Sequence, residues 1–138
     1  MMQLRPRVAM ALSLVIGQRL IVRLCPDCSQ PDPRDEPQRA LAAALNTWLH
    51  GHPVDIRQAN AAGCASCAHS GHQGSAMVYE LIEIDARARS LLASGANPAE
   101  VEPALLAGGR SIWERGLKGV AEGTISFDAL KAAVRQPR

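Results

Sequence analysis

The sequence predicts an α+β fold that is mostly helical: a tetracysteine zinc-knuckle subdomain with a short two-stranded element, followed by a small C-terminal helical bundle. Three observations predict it. Two C-x-x-C pairs lie far apart, a strand pattern entered through a glycine turn follows the second pair, and apolar segments that end at glycines follow that strand. At 138 residues, 47% of them hydrophobic and 20% charged, the chain is long enough to bury a core.

The four cysteines of the chain form the two C-x-x-C pairs, namely Cys25 with Cys28 and Cys64 with Cys67. Two such tight turns supply the four thiolates of a tetrahedral site, with each sulfur about 2.3 Å from the metal. A structural Zn²⁺ is therefore the predicted cofactor. Disulfides are the weaker interpretation, because the cysteine content is low and a chain of this length needs no covalent staples.

The interval between the two pairs is longer than the roughly 15–20 residues of a compact zinc ribbon. A folded insertion is therefore expected there. Asp35 and Pro37 form a helix-start pattern, and leucines share one face of the segment Arg39–Leu49, which predicts a helix. A short strand is predicted over Val54–Gln58.

The amino terminus resembles a secretion signal, because arginines precede the apolar run Val8–Gly17. That interpretation is disfavoured, since Arg19 and Arg23 follow at once and no small-x-small cleavage site lies after the run. The run is also shorter than the roughly 20 apolar residues that span a bilayer. A largely buried helix over Val8–Leu24 is predicted instead.

After the second cysteine pair, the segment His72–Ile82 predicts a strand. Four short helices are then predicted, three of them over Ala86–Ala93, Pro98–Leu106 and Ile112–Glu122, and a last one that begins at Thr124 or Ser126 and faces Phe127, Leu130 and Val134 inward. Gly116 inside a helix costs roughly 1 kcal/mol relative to alanine, so close packing against a neighbour is expected there.

Charge and aromatic content argue against a nucleic-acid partner. The formal net charge is +2 and the isoelectric point is near 8.5, although the first 24 residues carry four arginines and no acid. The aromatic residues are only Trp48, Tyr79, Trp113 and Phe127, which do not form a basic-aromatic stacking pattern.

The segments Ser13–Leu20 and Arg23–Cys28 resemble the end of the ATPase core and the first zinc knuckle of the type II secretion and type IV pilus assembly ATPases. The second knuckle and the following strand of that family are similar to Gly63–Cys67, Gly71–Gly74 and Val78–Leu81. The tail, with Gly95, Gly116 and Gly123, is similar to the family's C-terminal helical subdomain. The resemblance implies three regions: a helix over 1–24 that ends the ATPase core, a tetracysteine zinc-binding subdomain over 25–84, and a helical subdomain over 85–138.

The nucleotide site of that family is absent from this sequence. A P-loop ends in Gly-Lys-Ser/Thr, whereas the two lysines here, Lys118 and Lys131, each follow a leucine. ATP and Mg²⁺ are therefore implied for the family and not for this chain, which is not expected to be an enzyme alone. No catalytic or nucleotide-binding residue is predicted.

The predicted function is a zinc-stabilised interaction module. The resemblance implies secretion or pilus ATPase subunits and the inner-membrane platform protein as partners, and a cytoplasmic location at the periphery of the inner membrane. The segment Ala68–Met77 is predicted either to dock a partner or only to connect the knuckle to the strand. Two other classes stay open: a zinc-ribbon nucleic-acid-binding protein and a rubredoxin-like iron electron carrier. A site of three cysteines with His69 or His72 is disfavoured, because four cysteines are available.

Overall fold

The computed structural model describes residues 4–106 and 109–135. These residues form ten helices and strands, in chain order α1 (Leu4–Ala11), β1 (Leu14–Leu24), β2 (Gln30–Pro31), α2 (Asp35–Leu45), β3 (Arg57–Gln58), β4 (His72–Glu83), α3 (Ala86–Ser94), α4 (Pro98–Leu106), α5 (Ile112–Ala121) and α6 (Phe127–Ala133). Strand β1 pairs with β4 and β2 pairs with β3, so the predicted α+β class is confirmed. Within the described ranges, no helix has the length and apolar character needed to cross a membrane.

The helix predicted over Val8–Leu24 is wrong. Helix α1 ends at Ala11, and the apolar segment that follows is the eleven-residue strand β1. β-branched residues such as Val15, Ile16 and Ile21 favour a pleated strand over a helix. The strand also depends on β4, a partner distant in sequence, which a local pattern does not reveal.

The chain folds as two compact units, each built from two stretches of sequence. The first unit comprises Met1–Gly17 and Tyr79–Ser111, and the second comprises Gln18–Val78 and Ile112–Arg138. The single C-terminal bundle predicted from the sequence is therefore wrong: α3 and α4 belong with α1, whereas α5 and α6 belong with α2. The functional division into 1–24, 25–84 and 85–138 stays a prediction.

In the first unit, α3 packs against both α1 and α4 around the buried residues Ala9, Ala88 and Val101. The guanidinium of Arg89 donates hydrogen bonds to the carbonyl oxygens of Ala9 and Met10, at 3.0 and 2.8 Å. These carbonyls lie at the end of α1, where the helix itself offers no donor. Arg89 therefore ties α3 to the C-terminus of α1.

The same unit shows that β1 and β4 run antiparallel. The Ile84 N–H donates to the Ser13 carbonyl at 3.0 Å, and Gly17, further along β1, faces Glu80, which is earlier in β4. A Cβ at Gly17 would lie 3.0 Å from Glu80 Oε1, so the glycine leaves room for that side chain.

The second unit holds the main hydrophobic core, in which α2 packs on α5 and α5 packs on α6. The rings of Trp113 and Phe127 meet edge to face with centroids 6.0 Å apart. A Cβ at Gly116 would lie 2.2 Å from Leu130 Cδ1, which confirms that this glycine permits close helix packing. The largest fully buried side chains of this core are Ile21, Leu41, Val120, Ile125, Phe127 and Leu130.

The element between the two cysteine pairs is a helix followed by a short strand, as predicted, with different ends. Helix α2 begins after Arg34 as N-cap and ends at Leu45, although Leu49 is buried as expected. Strand β3 has only two residues and pairs antiparallel with β2, Gln30 opposite Gln58 and Pro31 opposite Arg57. This pairing joins the chain after the first cysteine pair to the chain before the second.

The predicted starts of α3, α4 and α5 are confirmed, whereas α3 ends one residue later than predicted, at Ser94, and α5 one residue earlier, at Ala121. Asp85 Oδ1 accepts a hydrogen bond from the Ala88 N–H at 2.7 Å, and Ser126 Oγ accepts one from the Ala129 N–H at 3.1 Å. Gly95 ends α3 in the left-handed conformation, with φ of 73°. Gly108, predicted with Gly109 to end α4, lies outside the described residues.

Candidate metal centre

The structure brings the four cysteine sulfurs together, in the second unit. All four Sγ atoms lie within 4.8 Å of one another. Three of the six Sγ–Sγ separations are 3.8 Å for Cys25–Cys64, 3.9 Å for Cys28–Cys67 and 3.8 Å for Cys64–Cys67. Among the described residues, these four form the cluster of potential metal ligands, and no histidine belongs to it.

The spacing of the sulfurs fits tetrahedral coordination of a cation. Four sulfurs at about 2.3 Å from a central zinc ion lie about 3.8 Å from one another, by the geometry of a tetrahedron. The observed separations match this value and far exceed the roughly 2.05 Å of a disulfide bond. All four cysteines are free. The donor set is thus all sulfur, which suits Zn²⁺ or an iron centre and does not suit Mg²⁺ or Ca²⁺.

The second knuckle surrounds its last sulfur with backbone donors. Residues Ala65–Cys67 form one 3-10 turn, and the backbone N–H groups of Cys64 and Gly71 each donate to Cys67 Sγ at 3.2 Å. Hydrogen bonds to a thiolate stabilise the charged form, so they hold the pKa of Cys67 down to about 6.

Two glycines make this turn possible. Gly63 has φ of 60°, and a Cβ there would lie 2.3 Å from the carbonyl carbon of His69. Gly71 has φ of 74°, and a Cβ there would lie 2.6 Å from the carbonyl oxygen of Asn60. The turn also places Ala68 and His69 at positive φ, 50° and 63°, a conformation that L-residues other than asparagine and aspartate rarely adopt.

The first knuckle is held by backbone contacts where it begins. The Leu24 N–H donates to the Thr124 carbonyl at 2.9 Å, and the Cys25 N–H donates to the Gly71 carbonyl at 3.0 Å. The second bond joins the first knuckle to the residue that supports the second knuckle. Within the first knuckle, loss of water and the neighbouring thiols raise the pKa of Cys28 to about 12.

An arginine that was not predicted as a site residue contacts the end of the first knuckle. Arg57, in β3, donates from Nε to Ser29 Oγ at 2.9 Å and from Nη2 to the Ser29 carbonyl oxygen. Ser29 directly follows Cys28 and is buried. A single arginine between Ile56 and Gln58 carries no sequence signal of this contact.

A second polar network, also not predicted, lies just beyond that point. The Asp32 carboxylate is fully buried and accepts two hydrogen bonds from the Arg34 guanidinium, at 2.8 and 2.6 Å, and a third from the Arg34 N–H at 3.1 Å. Arg34 also pairs with Asp128 in α6 at 2.9 Å. The Arg34 guanidinium holds the pKa of Asp32 below its usual range, and the two carboxylates raise the pKa of Arg34. The chain after the first knuckle is therefore fixed to α6 by paired charges.

The histidines near the second pair lie outside the sulfur cluster. His72 Nδ1 lies 3.0 Å from the Ser70 carbonyl oxygen, and His69 is exposed in the left-handed turn. Strand β4 begins at His72, as predicted, so His72–Met77 of the predicted docking or connecting segment Ala68–Met77 lies in the strand. Only residues 68–71 separate the knuckle from the strand.

Comparison with known proteins identifies the family. The profile described as "Type II/IV secretion system protein" matches residues 1–132. The type II secretion system ATPase E of Vibrio cholerae is 30% identical over 88% of this chain and 23% of its own length. The protein transport protein HofB homolog of Escherichia coli is 31% identical over 92% of this chain and 26% of its own length. The type IV pilus assembly ATPase PilB of Myxococcus xanthus is 28% identical over 88% of this chain and 21% of its own length.

The chain thus spans about a quarter of the length of the curated relatives it matches. The resemblance to secretion and pilus ATPases drawn from the cysteine spacing and the flanking strings is confirmed by these matches. The chain belongs to the family of type II/IV secretion system proteins.

Proposed function

We propose that this chain is a zinc-stabilised interaction module of a type II secretion or type IV pilus assembly machine. The observation that supports the metal is the spacing of the four sulfurs, 3.8–3.9 Å for three of their pairs. Cys25, Cys28, Cys64 and Cys67 would hold the ion. When bound, Zn²⁺ supplies folding free energy, and four sulfur ligands leave no coordination position for a substrate.

The role of the module in the machine is docking rather than ATP hydrolysis. Family membership supports a place in secretion machinery. The sequence contains no Gly-Lys-Ser/Thr phosphate loop, so the chain alone has no cradle for the β- and γ-phosphates of ATP. Its partners are then secretion or pilus ATPase subunits and the inner-membrane platform protein, at the cytoplasmic face of the inner membrane.

The docking surface we propose is the turn after the second knuckle together with the first residues of β4, Ala68–Met77. Cys67, at the start of this segment, is held by the sulfur cluster and by two backbone donors. Gln73, Ser75 and Met77 are exposed. Exposed side chains on a strand that follows a rigidly held turn are well placed to contact a partner at little ordering cost.

Metal analysis of the purified chain tests the first half of the proposal. We expect one equivalent of zinc per chain by elemental analysis and a colourless protein. Iron in its place, with the visible absorption of an iron–thiolate centre, would indicate the electron carrier instead. Less than half an equivalent of any metal would contradict the proposal, and salt-dependent DNA binding would favour the nucleic-acid binder.

Binding assays test the second half. Pull-downs against the secretion ATPase and the platform protein should recover the wild-type chain, and the double variant His72→Ala/Gln73→Ala should bind less. A matched control is Gln38→Ala/Arg39→Ala, which changes two exposed residues of α2 instead. Equal binding by a zinc-loaded double variant would reject the docking surface. Micromolar ATP binding by calorimetry would reject the absence of a nucleotide site, since we expect nothing tighter than about 1 mM.

A further inference from the structure

We infer that Arg57 is a positioning residue for the metal centre, acting through Ser29 on the first knuckle. The inference rests on the proposed zinc function and adds a residue that lies outside both C-x-x-C motifs. Arg57 contacts no sulfur. Its contribution is to fix the backbone that carries Cys25 and Cys28.

The Arg57 guanidinium forms a bidentate contact with Ser29. Arg57 Nε donates to the Ser29 hydroxyl at 2.9 Å, and Nη2 donates to the carbonyl oxygen of the same residue. Ser29 in turn donates its N–H to the Cys25 carbonyl at 3.0 Å, which closes the loop of the first knuckle. Fixing Ser29 therefore fixes both ends of the loop that carries the two thiols.

The first knuckle needs this support more than the second. Backbone N–H donors reach Cys67 Sγ from two residues, Cys64 and Gly71. In the part of the chain that the structure describes, no comparable backbone donor reaches the sulfur of Cys25 or Cys28. The side chain of Arg57 is thus the polar contact from outside the knuckle that holds its end, where the second knuckle uses its own backbone.

Other contacts fix the position of Arg57 independently of Ser29. Its backbone lies in β3 opposite Pro31, and the Asp55 N–H beside it donates to the Ala121 carbonyl at 2.8 Å. A Cβ at Gly123 would lie 2.8 Å from Arg57 Cδ, so the glycine leaves space for the side chain to cross the turn between α5 and α6. An arginine pre-ordered in this way loses little entropy when it binds Ser29.

Three variants are expected to weaken zinc binding to different degrees. Residues that orient metal ligands typically contribute 10- to 100-fold to metal affinity, so Arg57→Ala should weaken zinc binding by roughly that factor. Arg57→Lys should weaken it almost as much, because an ammonium cannot reproduce the planar two-donor geometry. Ser29→Ala should lose less, since the carbonyl contact remains, and should add little to Arg57→Ala in the double variant.

The experiment is competition between the full-length zinc-loaded chain and a chromophoric chelator, with the Co²⁺-substituted absorption spectrum as a second measurement. Gly116→Ala is the matched control, because it disturbs α5–α6 packing in the same unit and lies outside the knuckles. We expect Arg57→Ala to lose zinc more readily and to alter the Co²⁺–thiolate bands, while Gly116→Ala keeps both close to wild type.

Two results would overturn the inference alone: wild-type zinc affinity in Arg57→Ala, or an equal loss in Gly116→Ala, which would mean that global stability and not positioning sets the affinity. Failure of the wild-type chain to bind zinc at all would instead overturn the proposed function, and the inference with it. An unaltered Co²⁺ spectrum in Ser29→Ala combined with the full affinity loss of Arg57→Ala would also count against a role through Ser29.

Discussion

The sulfur atoms of Cys25 and Cys64 lie 3.8 Å apart although the two residues are 39 positions apart in the sequence. Backbone contacts bring these two cysteines together. The pairing of β2 with β3 joins the two ends of the intervening segment, and the hydrogen bond from the Cys25 N–H to the Gly71 carbonyl joins the knuckles directly. The polypeptide thus brings the sulfurs to the spacing of a tetrahedral site, and the proposed zinc ion would offset the mutual repulsion of four thiolates.

Replacing one ligand should remove both the metal and much of the stability of the second unit. We expect Cys64→Ser to lose zinc and to lower the free energy of unfolding by at least about 3 kcal/mol, since a structural zinc ion contributes folding energy directly. Urea denaturation followed by tryptophan fluorescence measures this, because Trp113 lies in the core of that unit. Ser66→Ala, an exposed position inside the same turn, is the control and should behave as wild type.

The left-handed turn after the second knuckle stores strain that a glycine would relieve. Ala68 has φ of 50°, and this conformation costs an L-residue roughly 1–2 kcal/mol. Ala68→Gly should therefore stabilise the zinc-loaded chain by about 1 kcal/mol in urea denaturation, after the added freedom of the unfolded chain is subtracted. Ala65→Gly, in the preceding turn without positive φ, should give no gain. A loss of stability in Ala68→Gly would contradict this account.

Sequence patterns predicted best those helices and strands that are determined by residues close to them in the sequence. Helix α3 is capped by Asp85 and Gly95, as expected, because an acceptor at the N-cap and a left-handed glycine at the C-cap act over a few residues. The segment Leu14–Leu24 was mistaken for a helix because its strand conformation depends on β4, far along the chain. Its alternation was also obscured, since Ile21 is buried while Leu20 and Val22 on either side are exposed apolar residues.

The candidate site likewise combines a feature that the sequence predicted with contacts that it did not. The C-x-x-C spacing itself indicated that the four cysteines would converge, because that spacing is a property of the turn. The supporting contacts of Arg57 with Ser29 and of Arg34 with Asp128 join residues 28 and 94 positions apart. Only the folded chain brings such residues together, so no local pattern could have predicted these contacts.

Close packing at Gly116 yields a prediction opposite in sign to helix propensity. Alanine at an exposed helical position would be favoured over glycine by roughly 1 kcal/mol. Here the added methyl would lie 2.2 Å from Leu130 Cδ1, so we expect Gly116→Ala to lower the free energy of unfolding by about 1–3 kcal/mol. Chemical denaturation measures the loss, and Leu130→Ala in the same background should cost less than Leu130→Ala alone, because the two changes share one space. Strict additivity would contradict the contact.

The buried pair of Asp32 with Arg34 predicts how stability depends on pH. The pair holds the pKa of Asp32 below its usual value, so the unfolded chain takes up the proton at a higher pH, near about 3.9. The stabilisation is therefore present above that pH and is lost as the pH falls through the lower pKa of the folded state. Asp32→Asn should cost about 1.5–3 kcal/mol at neutral pH, the range for hydrogen bonds to charged groups, and this difference from wild type should shrink below about pH 4. Urea denaturation of the wild type and of Asp32→Asn across the pH range measures this difference in the free energy of unfolding. The loss of zinc in acid affects both proteins, so it cancels from the difference. Asp27→Asn, at an exposed position, is the control, and an Asp32→Asn difference that stays constant from neutral pH into acid would rule out the pair as its source.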